Sequence, residues 1–148
     1  MLPNHYDAIL REHDDLERSE YPPGFDWKVE RARAVQLRDH LAGVLETELV
    51  LDDTAQDASF SFDIELARGE LARNMQAVCS VRLSNFGSLA SITIPDMISS
   101  EVLDRVVATL DELDYVYVPA EELDRDYDGA APADWRIETW WVRFFDYL

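Results

Sequence analysis

Lysine is almost missing from this chain. Lys28 stands alone beside 12 arginines, and these 13 cations face 31 acids, for a formal charge of −18 at pH 7. Nucleic acid and anionic membrane both repel such a chain, which lacks the cationic surface whose counterion release drives binding to them. The expectation is therefore no nucleic-acid partner and no membrane partner. Cysteine is nearly as scarce, since Cys79 alone permits no internal disulfide, in keeping with a reducing compartment. No stretch approaches the ~18 uninterrupted apolar residues of a membrane span, and the first ten residues lack the basic-then-apolar pattern of a signal peptide, so the expected location is cytoplasmic. With only five glycines, the chain has no Gly-rich loop to cradle phosphate and no Gly-x-Ser-x-Gly elbow.

What is present argues for one folded domain over residues 1–148. Hydrophobic residues make up 47% of the chain and 16 residues are aromatic, far above what keeps an acidic chain disordered. Asn4 can cap a first helix over about residues 4–19, in which Tyr6, Ile9, His13 and Leu16 recur at helical spacing. After the breaker Tyr21-Pro22-Pro23-Gly24, Asp26 can cap a second helix over 26–45, with Ala34, Leu37, Leu41, Val44 and Leu45 as its apolar stripe. These two form an N-terminal helical pair, 4–45.

A sheet region follows over 46–95. Phe60, Phe62, Ile64 and Leu66 alternate with polar residues, as Ala77, Cys79, Val81 and Leu83 do, and Asn85-Phe86-Gly87-Ser88 supplies a turn before Leu89–Ile94. Leu49–Leu51 is a further short strand expected to pair with the strong one. Ser99 or Ser100 caps a helix at 99–113 whose buried stripe is Leu103, Val106, Leu110 and Leu113. Strands are expected over 114–148: Tyr115–Val118, and a last one over Trp135–Phe145, rich in aromatic and β-branched residues. Alternation would send Trp140, Val142 and Phe144 to one face of that strand and Trp141, Arg143 and Phe145 to the other. The fold class is α+β, an antiparallel or mixed sheet of about five or six strands with helices packed on one face.

The charge is uneven along the chain. Residues 46–70 and 111–128 each hold eight acids and one arginine, whereas 71–95 hold no acid, although Gln76, Ser80, Ser91 and Thr93 are expected to point outward. If the two acidic segments lie at one end of the sheet, their fields add to form a docking surface for a basic protein. The residues expected to carry it are Asp52, Asp53, Asp57, Glu121, Glu122, Asp124, Asp126 and Asp128, with Tyr115, Tyr117, Tyr127 or Trp135 as anchors. Solubility or salt adaptation is the plainer account of the same charge.

Asp124-Arg125-Asp126-Tyr127-Asp128-Gly129 matches the first half of a calcium loop, with Asp124, Asp126 and Asp128 as candidate ligands. The twelfth loop position, where a bidentate Glu would close the cage, is Trp135. His5, His13 and Glu17 make at most a two- or three-ligand set on the first helix. Cys79 falls among apolar strand positions and reads as packing, and carboxylates are too abundant for any one pair to mark acid–base catalysis. No catalytic residue is assigned, and an enzyme with dispersed carboxylates ranks last.

In size and acidity the chain resembles bacterial immunity and antitoxin-type inhibitors, which bind a basic nuclease toxin and occlude its active site. The likeness carries over no individual positions. The leading expectation is a non-enzymatic acidic domain that docks on a basic protein. Its alternatives are a calcium-binding module, a generic salt-adapted domain, and an enzyme of unrecognised class. The aromatic C-terminal strand offers a possible homodimer contact.

Overall fold

A computed structural model describes residues 5–14, 24–52, 62–72, 75–86, 88–132 and 135–146. Helices α1 (His5–Glu12) and α2 (Trp27–Leu45) are followed by strands β1 (Val50–Asp52), β2 (Phe62–Ala72), β3 (Met75–Leu83) and β4 (Leu89–Ile92). Helix α3 (Ser100–Glu112), strand β5 (Val116–Tyr117), the short helix α4 (Ala120–Leu123) and a π-helical turn at Val142–Asp146 complete the chain. The sheet is mixed and five-stranded, in the order β1-β2-β3-β4-β5. The first four strands form an antiparallel meander, and β5 joins β4 in parallel, with Leu89 opposite Val116.

Period-two patterning sets the register. Phe62 faces Leu83, Ile64 faces Val81, and Val81 faces Ile92 in turn, so one sheet face is continuously apolar. Against it lie Ala34, Leu37 and Leu41 of α2 and Val106 and Leu110 of α3, spaced so that each helix turns one stripe inward. Asp26 caps α2 by accepting from the backbone N–H groups of Lys28 and Val29 at 3.0 and 3.3 Å. Val44 stands off the expected stripe and is exposed. In β2 a bulge between Glu65 and Ala67 shifts the register, so that Leu66 and Ala67 both pack against the core. An extra residue in one strand interrupts alternation in this way.

The second face carries a smaller core over the β4–β5 end. There Leu10 of α1 and Leu123 of α4 meet Phe86, Leu89, Val118, Trp140, Phe144 and Phe145. Helices α1 and α2 thus serve different clusters and do not form a packed pair. Helix α1 also ends at Glu12 rather than near 19, because Asp14 leaves the helical path to meet Arg143 and Tyr127. The expected cap Asn4 and the stripe residue Leu16 lie outside the described residues.

The C-terminal segment is not a strand. The chain is helical from Trp140 and continues as the π-helical turn, so that Trp140, Arg143 and Phe144 are buried together instead of alternating between faces. Strand preference spans only ~1 kcal/mol and depends on context. Here the context is an internal ion pair: Arg143 Nε lies 2.8 Å from Asp14 Oδ1, with their side chains only 1% and 5% exposed. The guanidinium also lies 4.8 Å from the Phe86 ring centre, 5.4 Å from Trp135 and 5.3 Å from Phe144. An extended Trp140–Phe145 would put Arg143 and Phe144 on opposite sides, which this burial does not allow.

Two of the residues expected to point outward do not. Ser80 and Ser91 are buried, and the Ser91 hydroxyl donates to the Val118 carbonyl at 2.7 Å. Thr93 is half-buried and accepts the Ser80 N–H through its Oγ1.

Candidate partner-binding groove

A concavity that combines charge with aromatic walls lies between α3 and β5, with a volume of about 630 Å3. Its helical wall is Leu103, Asp104, Val107, Ala108 and Asp111, and its strand wall is Tyr115, Val116 and Tyr117. His5 and Tyr6, from the start of α1, line it as well.

Local chemistry explains how α3 presents this wall. Ser99 caps the helix by accepting the Val102 N–H at 3.2 Å, and Val106, Thr109 and Leu110 turn inward. Thr109 donates its buried hydroxyl to the Arg105 carbonyl at 2.8 Å, which removes the cost of an unpaired polar group. Asp104, Ala108 and Asp111 are left on the outer stripe at i, i+4 and i+7. Asp114, with φ of 66°, makes the left-handed turn that brings β5 back beside the helix.

The groove is electronegative and partly desolvated. Asp104 and Asp111 are exposed, and among the described residues no lysine or arginine lines the walls. Burial raises the Tyr117 phenol above its ordinary value, and the neighbouring Tyr6 and Glu121 add to the shift. Burial likewise pushes Tyr115 up to about 12, opposed by the nearby Arg33 guanidinium and reinforced by Glu30. Arg33 lies 4.5 Å from the Tyr115 ring centre, and the Tyr115 hydroxyl has no hydrogen-bond partner among the described residues.

The expected docking residues are scattered by the fold. Asp52 is exposed on β1, at the sheet edge opposite β5, and four strand spacings separate the two edges by about 19 Å. Asp53 and Asp57 lie outside the described residues. The segments 46–70 and 111–128 are therefore not drawn into one patch by strand order. Tyr115 and Tyr117 both line the groove, Tyr115 from the core with 5% exposure, and Glu121 lies close enough to act on the Tyr117 phenol. Glu122 is half-buried, with Oε2 3.7 Å from Arg125, and Asp124 is exposed.

The Asp124–Gly129 loop serves as a clasp for α1. Tyr127 donates its hydroxyl to Asp14 at 2.5 Å and accepts the Ala131 N–H at 3.0 Å. Asp128 is exposed and pairs with Arg11 at 2.9 Å, Arg11 pairs with Asp7 at 2.9 Å, and Arg125 reaches Asp7 at 3.3 Å. The Arg11 guanidinium holds the Asp7 carboxyl below the usual carboxylate range. Asp126 is exposed, and its backbone bridges to Thr139. Trp135 stacks on Arg143 and is half-buried, so it forms part of the internal cluster. Gly129 is needed for close approach, since a Cβ there would run into the Asp14 carboxylate and the Tyr127 ring. Among the described residues no three His, Cys, Asp or Glu side chains converge as a metal site. His13 is half-buried and His40 exposed, and Glu17 lies outside the described residues. Cys79 is fully buried, and burial pushes its thiol up to about 11.

Asp104 of the groove was not singled out from the sequence, although its place off the α3 apolar stripe is a signal that could have found it. His5 and Tyr6 were not legible as groove residues, because only the tertiary fold carries the N-terminal helix across to α3. No protein-family model, curated protein or solved structure matches the chain.

Proposed function

We propose that this protein is a non-enzymatic binding domain that docks on a basic protein, as cytoplasmic inhibitors of the immunity or antitoxin type do. The acid-lined α3–β5 groove is its recognition site. One observation carries the reading: the groove joins two exposed carboxylates, Asp104 and Asp111, to aromatic and apolar walls with no lysine or arginine among the described residues that line it. A site of this composition accepts a cationic side chain, whose charge meets the rim and whose stem or planar head meets the rings.

The disposition of arginine supports the same reading. Eight of them, Arg11, Arg33, Arg38, Arg68, Arg82, Arg105, Arg125 and Arg143, pair with acids of their own chain, so the surplus of acid is left to act outward. Such a field raises association rates with a cationic partner and weakens with salt. Its specificity would reside in the groove, because rim charge governs encounter more than residence.

Capture from a lysate of the native host tests the proposal, with wild type compared against the Asp104→Asn/Asp111→Asn/Glu121→Gln variant at low and high salt. A partner of basic isoelectric point, retained by wild type and lost by the variant, is the expected result. Equal retention by both proteins, or retention of no basic protein at either salt, overturns it.

A further inference from the structure

Resting on that docking reading, we propose that the partner supplies an extended basic segment which adds to the free edge of β5 as a sixth strand. Among the described residues, strand β5 is the terminal strand of the sheet and pairs only with β4. The Val116 and Val118 N–H groups donate inward, to the Ser88 and Ala90 carbonyls, each at 2.9 Å. Successive residues of a strand direct their backbone groups to opposite sides, so the Tyr117 N–H and C=O face away from β4, toward the groove. An open edge facing a helix across a groove is the geometry in which peptides bind by strand addition, with main-chain bonds giving affinity and side-chain pockets giving selectivity.

The charge selects the occupant. Asp104 and Asp111 are seven residues apart on α3, about 10 Å along its axis. Same-side residues of an extended strand recur every ~6.7 Å. Three alternate Arg or Lys residues thus span ~13 Å and cover the stretch between the two acids, while the residues between them face away from it. A second copy of this chain would bring the same acids against themselves in a chain already at −18, which disfavours pairing of β5 with β5. The concavity beside the opposite edge strand β1 is lined in part by Arg68 and Arg82, whose charge disfavours a basic segment there.

The test uses the full chain and three synthetic peptides. The first is an eight-residue alternating Arg-Val peptide, and the other two carry N-methyl groups on one or the other alternate set of backbone nitrogens. All three have the same charge, and only main-chain pairing distinguishes them. Binding is followed by fluorescence anisotropy at low salt and by hydrogen exchange at the Tyr117 amide. The expected result is saturable binding of the unmodified peptide, at least tenfold slower exchange at Tyr117, and a tenfold or greater loss of affinity for one N-methylated peptide. If all three bind alike and Tyr117 exchange is unchanged, strand addition is overturned while basic docking stands. If none binds, docking in this groove is overturned with it. A dimer in sedimentation whose Tyr117 amide is already protected assigns the edge to a second copy and overturns the proposal.

Discussion

Replacing Arg143 by Met should unfold the protein at markedly lower denaturant. The Asp14 carboxylate is 5% exposed and its Oδ1 is 2.8 Å from Arg143 Nε. Two contacts remain after the replacement, the Tyr127 hydroxyl at 2.5 Å and the Ala130 N–H at 3.3 Å. Neither supplies positive charge, so a buried anion is left uncompensated. Removing one partner of a buried pair costs ~3–5 kcal/mol, although the pair measured against an apolar substitute can be worth nothing. Met fills much of the slot between Phe86, Trp135 and Phe144 without a polar atom, which keeps the packing loss small. At an m-value of ~2 kcal/mol/M the urea midpoint should fall by ~1.5–2.5 M. Asp14→Asn should cost a similar amount by stranding the guanidinium. The double variant should cost clearly less than the sum of the two single changes, because it strands no charge. Urea titration of the four proteins, followed by Trp fluorescence, gives the cycle. A midpoint within ~0.5 M of wild type for Arg143→Met, or strict additivity, would refute the claim that the Asp14–Arg143 pair is a dry contact holding α1 to the C-terminal turn.

Two further outcomes follow from the same region and from the buried phenols. Gly129→Ala forces a Cβ into the Asp14 carboxylate and the Tyr127 ring and should cost ~1–3 kcal/mol by overpacking. Gly43→Ala, in α2 with nothing within 4 Å of the added atom, should stabilise by ~0.5–1 kcal/mol, so equal effects from the two changes in urea unfolding would defeat the assignment. Burial raises Tyr115 and Tyr127 from the ordinary 10.0 to about 12, and the Asp14 carboxylate that accepts the Tyr127 hydroxyl adds to the second shift. The folded state thus holds these protons more tightly than the unfolded state, so the stability they contribute is complete below pH 10 and is lost as pH rises toward about 12. Phenolate absorbance should show at least two tyrosines ionising late and together with unfolding, and a native spectrum with all six phenols titrating near pH 10 would contradict this.

Local patterning made much of the fold legible. The Asp26 and Ser99 caps, the stripes of α2 and α3, the alternation in β2 and β3 and the short β1 all depend on neighbours within one or two turns or one strand pair. The Trp135–Phe145 segment was illegible for the opposite reason. Its composition favours a strand, but Arg143 has to reach Asp14, 129 residues earlier in the chain, and no local pattern reports such a contact. The same long-range link ends α1 early and takes Tyr127 and Trp135 out of the set of surface anchors. Of the residues expected to dock a partner, Tyr115 and Tyr117 line the groove, and Glu121 acts on the Tyr117 phenol. His5 and Tyr6 enter through the tertiary fold that carries α1 to α3.

The acid-free stretch at 71–95 also changes meaning once the second face of the sheet is in view. A salt-adapted surface would place acids at outward strand positions, so serines at 80 and 91 looked like positions spared for a reason of binding. Both are buried, and an ionised side chain there would need a partner or several kcal/mol of desolvation. Where the same hairpin is less covered, charge is present and paired, as in Arg82 with Asp63 at 2.9 Å. At positions 80 and 91 the absence of acid follows from burial and says nothing about a partner. What separates docking from mere solubility is the juxtaposition of Asp104 and Asp111 with Tyr117 and the open edge of β5, a local arrangement that net charge does not require. Neutralising acids remote from the groove, such as Glu48 and Asp52, should lower the salt dependence of partner capture without abolishing it, whereas Asp104→Asn/Asp111→Asn should abolish capture at a smaller change in net charge than a −18 chain would notice if bulk charge alone were responsible.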